Sequence, residues 1–168
     1  MALNTEFLFD PMKKIFFYES PVGWLRLTAE EDALTELFFV EKKEGRNESS
    51  PILEQAIKEL DEYFSGRRKV FTVPLRTTGS PFQQRVWKEL LNIPFATTTS
   101  YMKVAMQLGD LKSIRAVGTS NGRNPIAIII PCHRVIGSDG KLVGYGGGLW
   151  RKKWLLEFES GSHQVGMF

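Results

Sequence analysis

The 168-residue chain contains a single cysteine, Cys132. One thiol cannot close an intramolecular disulfide or build a multi-cysteine metal site, so Cys132 is either an apolar core filler or a chemically used group. An unpaired cysteine also suits a reducing compartment. Histidine is almost as scarce, with only His133, next to the cysteine, and His163. No apolar run approaches the roughly twenty residues that span a membrane. Met1 to Asp10 lack the basic-then-apolar pattern of a signal peptide. These absences predict a cytoplasmic protein with no membrane partner. No internal repeat or low-complexity tract is visible.

What is present is enough for a real core, in one domain or two small ones: 42% of residues are hydrophobic and 12% aromatic. The net charge of +3 conceals an asymmetry. Residues 1–80 carry 11 Lys and Arg against 14 Asp and Glu, a balance of −3, whereas residues 81–168 carry 11 against 5, a balance of +6. The basic half also holds the cysteine. Such polarity fits a C-terminal half that meets a polyanion, and equally an ordinary basic surface.

Lys14 to Ser20, Gly23 to Thr28 and Ala33 to Val40 are rich in aromatic and β-branched residues and separated by turn-prone or polar residues, which predicts an antiparallel meander. Pro51 to Phe64 places Ile52, Leu53, Ala56, Ile57, Leu60 and Phe64 at helical spacing, with Ser50 as N-cap and Pro51 in the first turn. This helix is expected to cover the sheet, and Arg67 to Ser80 reads as a linker. Ser80 then caps a helix to about Leu91, with Phe82, Val86, Trp87, Leu90 and Leu91 on its buried face. Short helices follow over Ser100 to Leu108 and Lys112 to Asn121, joined across Gly109-Asp110; they have the outline of a helix-turn-helix or of a plain packing pair. Leu149 to Glu159 is the last predicted helix, burying Trp150, Trp154 and Leu155, and Ser160 to Phe168 a frayed tail.

The surroundings of Cys132 favour a used thiol. A thiol becomes nucleophilic when a base removes its proton, and an imidazole oriented by a carboxylate is the usual arrangement. His133 is the obvious base, and Glu159 the carboxylate placed to orient it if the last helix folds back.

Pro131-Cys132-His133-Arg134-Val135, preceded by Asn124-Pro125 and followed by Gly144-Tyr145 and Trp154-Leu155-Leu156, resembles the signature of O6-alkylguanine-DNA alkyltransferases, the methylated-DNA–protein-cysteine methyltransferases. The likeness extends through Ser80-Pro81-Phe82-Gln83, Ile93-Pro94, Ser100-Tyr101 and Arg115-Ala116-Val117-Gly118, covering essentially residues 80–159. Residues 14–66 are similar to the family's N-terminal domain. The resemblance implies an α+β protein: an N-terminal antiparallel sheet with a covering helix, ribonuclease H-like, over residues 1–79, and a C-terminal helical domain with a helix-turn-helix over residues 80–168.

It further implies irreversible, single-turnover transfer of an alkyl group from O6-alkylguanine, and from O4-methylthymine, in double-stranded DNA to Cys132. No cofactor is needed, and the protein is expected to act as a monomer. By the same resemblance His133 is the base, working through a water; Glu159 orients it; Asn124 ties the turn that presents Cys132; and Tyr101 donates to the guanine ring as it leaves. The carbonyls of Cys132 and Val135 accept from the exocyclic amine, and Tyr145 walls the pocket. Arg115 fills the space left by the flipped nucleotide, on a helix that enters the minor groove with small residues Ala116 and Gly118. Ser113 and Ile114 are larger than the alanines common there.

Two departures stand out. The zinc site that some members build from N-terminal cysteines and histidines is absent, because residues 1–80 contain neither residue type. Gly146 stands where many members carry a serine near the O6 atom. The rival readings are a Cys-His-Glu hydrolase, which leaves the basic half idle, and an alkyltransferase-like damage sensor, a class that replaces the cysteine this chain keeps.

Overall fold

The computed structural model describes residues 12–162. Met1 to Asp10, His163 and most of the Ser160–Phe168 tail lie outside the described residues.

The meander forms as β1 (Lys13–Ser20), β2 (Gly23–Glu30) and β3 (Ala33–Val40), all antiparallel in the order β1-β2-β3. Residues directly opposite one another share a face of the sheet. Leu25 therefore stands with Phe39 and Leu27 with Leu37, and all three leucines are fully buried. Helix α1 (Pro51–Phe64) packs on the sheet through Leu53, Ala56, Leu60 and Tyr63, and begins where Ser50 accepts from the Leu53 N–H at 3.2 Å. Helix α2 (Pro81–Leu90) starts with a reciprocal cap: the Gln83 N–H donates to the Ser80 hydroxyl and the Ser80 N–H to the Gln83 side chain.

The remaining elements are short. Strand β4 (Thr99–Ser100) leads into α3 (Tyr101–Gln107), a 3₁₀ turn (Leu111–Ser113) and α4 (Ile114–Gly122). A second 3₁₀ turn (Cys132–Arg134) feeds β5 (Val135–Ile136), parallel to β4, before α5 (Leu149–Ser160). The two halves of the chain share one core. The Leu37 N–H donates to the Pro125 carbonyl at 2.9 Å and the Ala127 N–H to the Leu37 carbonyl at 3.0 Å, so β3 holds the segment that leads into Cys132.

Four expectations need correction. Trp150 is 56% exposed, because the buried stripe of α5 is Lys152, Leu155 and Glu159 and the Arg151 guanidinium lies over the Trp150 ring instead. Leu91 is 48% exposed, since α2 ends at Leu90 and the chain turns there. The predicted Lys112–Asn121 helix is split: Asp110 caps a 3₁₀ turn, and regular α-helix begins at Ile114. Arg67 to Ser80 is no loose linker.

That last segment is tied at two places. Leu34 exchanges main-chain hydrogen bonds with Pro74 and Arg76. Buried Glu59 accepts from the Thr72 and Val73 N–H groups at 3.0 and 3.1 Å, and from the Thr72 hydroxyl and Gln55 amide. Burial opposes the charge of Glu59, yet these donors hold its carboxyl below the usual range. Replacing it strands the buried Val73 N–H, worth about 1–3 kcal/mol, while the exposed Thr72 can turn to solvent. Glu59→Ala is therefore expected to lower the stability measured by urea unfolding by about 2 kcal/mol; a loss too small to resolve would show that residues 67–80 are held by other contacts.

Candidate active site

The thiol is presented by a strained turn. Asn124 bridges it, its amide donating to the Ile130 carbonyl at 2.7 Å while its oxygen accepts from the Ile126 N–H at 2.9 Å. Ile128, in the middle, has φ +71°, a left-handed conformation that a β-branched residue adopts only when its surroundings impose it. The turn delivers Cys132 to the first position of its 3₁₀ turn, 5% exposed.

Behind the turn lies Glu159. His133 Nε2 is 2.8 Å from Glu159 Oε1, and Arg134 donates twice to the same carboxylate, Nε to Oε2 at 2.9 Å and a terminal nitrogen to Oε1 at 2.8 Å. The Tyr63 hydroxyl, from α1, also donates to Oε1 at 2.8 Å. Although burial opposes the charge, these donors hold the Glu159 carboxyl at about 2. An ionised carboxylate only accepts, so the proton of the neutral imidazole sits on Nε2 and Nδ1 carries the lone pair. His133 is fully buried, and burial pushes its pKa down against the pull of Glu159, which keeps it neutral. Burial pushes the Cys132 thiol up, with the Asn124 side chain and the Lys152 ammonium opposing, so the resting thiol is protonated and needs a base.

Lys152 is buried along its whole length, and its Nζ donates to the Val143 and Gly144 carbonyls at 3.0 and 3.2 Å and reaches the Tyr101 hydroxyl at 3.5 Å. Tyr101 donates to the same Val143 carbonyl at 3.0 Å. Among the described residues the buried side-chain polar atoms without a partner are His133 Nδ1, Asn121 Oδ1, the Tyr145 hydroxyl and Arg26 Nε. Two of these, on Asn121 and Tyr145, belong to residues that line a cavity with Cys132. A cavity of about 140 Å³ contains Cys132, Asn121, Asn124, Tyr145 and Gly146, and an adjoining hollow of about 310 Å³ is lined by Tyr101, Gly118, Asn121 and Tyr145. The Cys132 carbonyl already accepts from the Val135 N–H and, at 3.4 Å, from the Asn121 amide. Val135 itself is buried in β5, paired with Thr99.

The second hollow opens beside α3 and α4. Arg115 and Ala116 of α4 are exposed, as are Lys103, Lys112 and Arg123. Gly118 meets only the Tyr101 ring, 3.9 Å from where a Cβ would stand. Ile114 keeps 37% of its surface exposed, a bulkier edge than a small-residue face would have.

Residues 81–161 match the model of the 6-O-methylguanine DNA methyltransferase DNA binding domain, and residues 14–77 that of the 6-O-methylguanine DNA methyltransferase ribonuclease-like domain. The chain belongs to the 6-O-methylguanine DNA methyltransferase family. It is 47% identical over 152 residues to a methylated-DNA–protein-cysteine methyltransferase of Mycobacterium leprae, spanning 88% of this chain and 91% of that protein. The crystal structure of Mycobacterium tuberculosis O6-methylguanine methyltransferase superposes with a TM-score of 0.82 at 43% identity, covering 92% of this chain and 96% of that one. A Mycobacterium tuberculosis OGT structure in complex with DNA gives 0.80 at 46% identity, covering 89% and 94%.

The α+β architecture is that of this methyltransferase family. Cys132, His133, Glu159, Asn124, Tyr145 and Gly146 gather at one place, Tyr101 joins them through Lys152, and Arg115 and Ala116 stay outside on the surface of α4. Sequence reasoning missed Arg134, Tyr63 and Lys152. Arg134 stood inside the motif that drew attention to its neighbours, and a lysine on the buried stripe of α5 is itself a signal, because an ammonium enters a core only with partners waiting.

The depressed pKa of Glu159 makes stability depend on pH. The carboxyl titrates near 4.5 in the unfolded chain and at about 2 in the folded one, so its contribution is complete above 4.5 and is lost as the pH falls toward 2. The stability difference between the native chain and Glu159→Gln, followed by thermal unfolding, is expected to be largest above pH 4.5 and to shrink steadily below it. A difference independent of pH would mean that the carboxylate is not the charged centre of this network.

Proposed function

We propose that this chain repairs DNA by transferring the alkyl group of O6-alkylguanine, and of O4-methylthymine, to Cys132, acting once per molecule. The observation that carries the reading is the buried Cys132–His133–Glu159 arrangement beneath a cavity that opens toward an exposed basic helix pair. Residues 80–168 hold that chemistry and the DNA surface, and residues 1–79 support it. The protein works as a cytoplasmic monomer and requires no cofactor.

In the duplex the O6 atom is stacked out of reach, so the nucleotide must be flipped. Arg115 on α4 is exposed and long enough to take its place between the bases, where a flat guanidinium stacks while its charge suits phosphate. Ala116 and Gly118 let the helix backbone approach the minor groove. The extruded base enters the hollow between Tyr101 and Tyr145. Its exocyclic amine bonds to the Val135 and Cys132 carbonyls, displacing Asn121 from the latter.

The lone pair of His133 Nδ1 has no protein partner, and a water between it and the thiol carries the proton away as sulfur attacks. The sulfur–carbon bond forms, the O6–carbon bond breaks, and the electron pair leaves with guanine. Tyr101 turns its hydroxyl from the Val143 carbonyl to the ring nitrogen that gains this charge. Lys152, fixed beside both Tyr101 and Cys132, favours the thiolate and the donating form of Tyr101. The product is a thioether, which has no leaving group activated for a second reaction, so the protein is consumed.

Both rivals account for less. A hydrolase leaves Arg115 and the +6 half unused, and a damage sensor has no need of a buried acceptor with its own base.

Removing the base is expected to slow transfer from O6-methylguanine duplex about 100-fold or more in His133→Ala, the scale of general base catalysis. Arg115→Ala is expected to slow transfer from duplex by roughly tenfold while reaction with free O6-alkylguanine base changes less than about twofold, since only the duplex requires flipping. Single-turnover rates near the native value for His133→Ala, or equal losses on duplex and free base for Arg115→Ala, would contradict these roles.

A further inference from the structure

The cavity that holds Cys132 is closed on one side by the N-terminal sheet. Phe38 and Phe39, at the end of β3, line it together with Tyr145, Gly146 and Ala127. Asn121 and Tyr145, which carry orphaned polar atoms, line both hollows, whereas β3 contributes Phe38 and Phe39 to the cavity of Cys132 alone. One end therefore suits a polar heterocycle and the other an apolar substituent. We propose that β3 supplies the wall against which the transferred group packs, with Phe39 as the residue that sets acceptance of benzylic groups. The inference rests on the acceptor reading of Cys132 and extends it from the reaction to the class of group transferred.

Phe39 is held rigidly. Two residues earlier, Leu37 is bonded through its main chain to Pro125 and Ala127, the same segment that carries the acceptor. The Phe39 ring meets Tyr145 edge-to-face with centroids 5.9 Å apart, and the Arg151 guanidinium lies 4.9 Å from its centroid. Arg151 is itself fixed, donating to the Val22 carbonyl at 2.7 Å and to the Gly147 carbonyl at 2.9 Å. Gly147 passes so close that a Cβ there would stand 2.6 Å from Phe39 Cδ2. The wall, the β1–β2 turn and the glycine-rich loop are thus one braced unit.

Size and shape point to an aryl group. The cavity measures about 140 Å³, close to the roughly 150 Å³ of an apolar protein cavity that binds benzene. Gly146 leaves the opposite side open, with no atom within 4 Å of a would-be Cβ. A methyl group on O6 fills little of this space and stays clear of Phe39, whereas the ring of a benzyl group reaches the Phe39–Tyr145 pair and gains aromatic contact. The chemistry is unchanged: the sulfur–methylene bond forms as the O6–methylene bond breaks. Guanine departs with the electron pair and takes its hydrogen bond or proton from Tyr101, while the thiol proton passes to His133.

The test uses two duplexes of one sequence, one carrying O6-methylguanine and the other O6-benzylguanine, and single-turnover transfer rates for the native chain, Phe39→Leu and Phe39→Ala. The benzyl-to-methyl rate ratio is taken within each protein preparation, so folded fraction and DNA affinity cancel. Phe39→Leu keeps an apolar wall and should fold even if Phe39→Ala does not. Loss of the aromatic contact is expected to lower the ratio about fivefold in Phe39→Leu and further in Phe39→Ala. An unchanged ratio in Phe39→Leu overturns the proposal, and a raised ratio overturns it too, since Phe39 would then be an obstacle and not a contact surface. Absence of methyl transfer by the native chain would instead defeat the acceptor reading itself.

Discussion

The carboxylate of Glu159 is the interaction on which the acceptor site depends. It draws the Tyr63 hydroxyl from α1, His133 and Arg134 from the turn after the thiol, and, at 3.4 Å, the Ala96 N–H from the loop before β4. Sinking a carboxylate into a core costs several kcal/mol, and pairing it there with a guanidinium often does no more than offset that cost. What the pairing does provide is geometry. With its oxygens saturated by donors the group stays ionised, fixes which imidazole nitrogen carries the proton, and leaves the other buried with a free lone pair.

Burial of Cys132 follows the same logic from the opposite side. A sequestered thiol is held protonated by desolvation, which makes it a poor nucleophile and a poor target for oxidation. On the proposed mechanism reactivity therefore waits for a substrate that fills the cavity and for proton transfer to His133. A molecule that can react only once gains from this restraint, since every stray oxidation or alkylation would remove one copy from use. Lys152 moderates it, supplying positive charge near sulfur without forming a permanent ion pair.

Much of this was legible in the residues. The three strands and α1 appear within a residue or two of their predicted bounds because their signals are local: alternation, a serine cap, a proline in the first turn. The reciprocal cap at Ser80 and Gln83 is of the same kind. Cys132 and His133 stood side by side, and the resemblance to the family carried Glu159, Asn124 and Tyr101 with them. The contacts that escaped are long-range. Tyr63 meets Glu159 across 96 positions, and nothing near either residue announces the pairing. Phe39 reads as one more sheet residue until β3 is seen to grip Pro125 and Ala127. Trp150 misled because aromatic residues suggest burial, whereas the α5 stripe turned inward through a lysine and a glutamate whose partners lay elsewhere in the chain. The strain at Ile128 has no sequence signal at all, since isoleucine is among the last residues expected at positive φ.

The proposed repair turns on Cys132 as a stoichiometric acceptor. The decisive experiment is intact-protein mass measurement after incubation with excess O6-methylguanine duplex, followed by peptide mapping. One added methyl mass is expected, located on Cys132, after which the reaction stops; demethylation continuing beyond one equivalent, or a methyl group mapped to any other residue, would mean that Cys132 is not the stoichiometric acceptor.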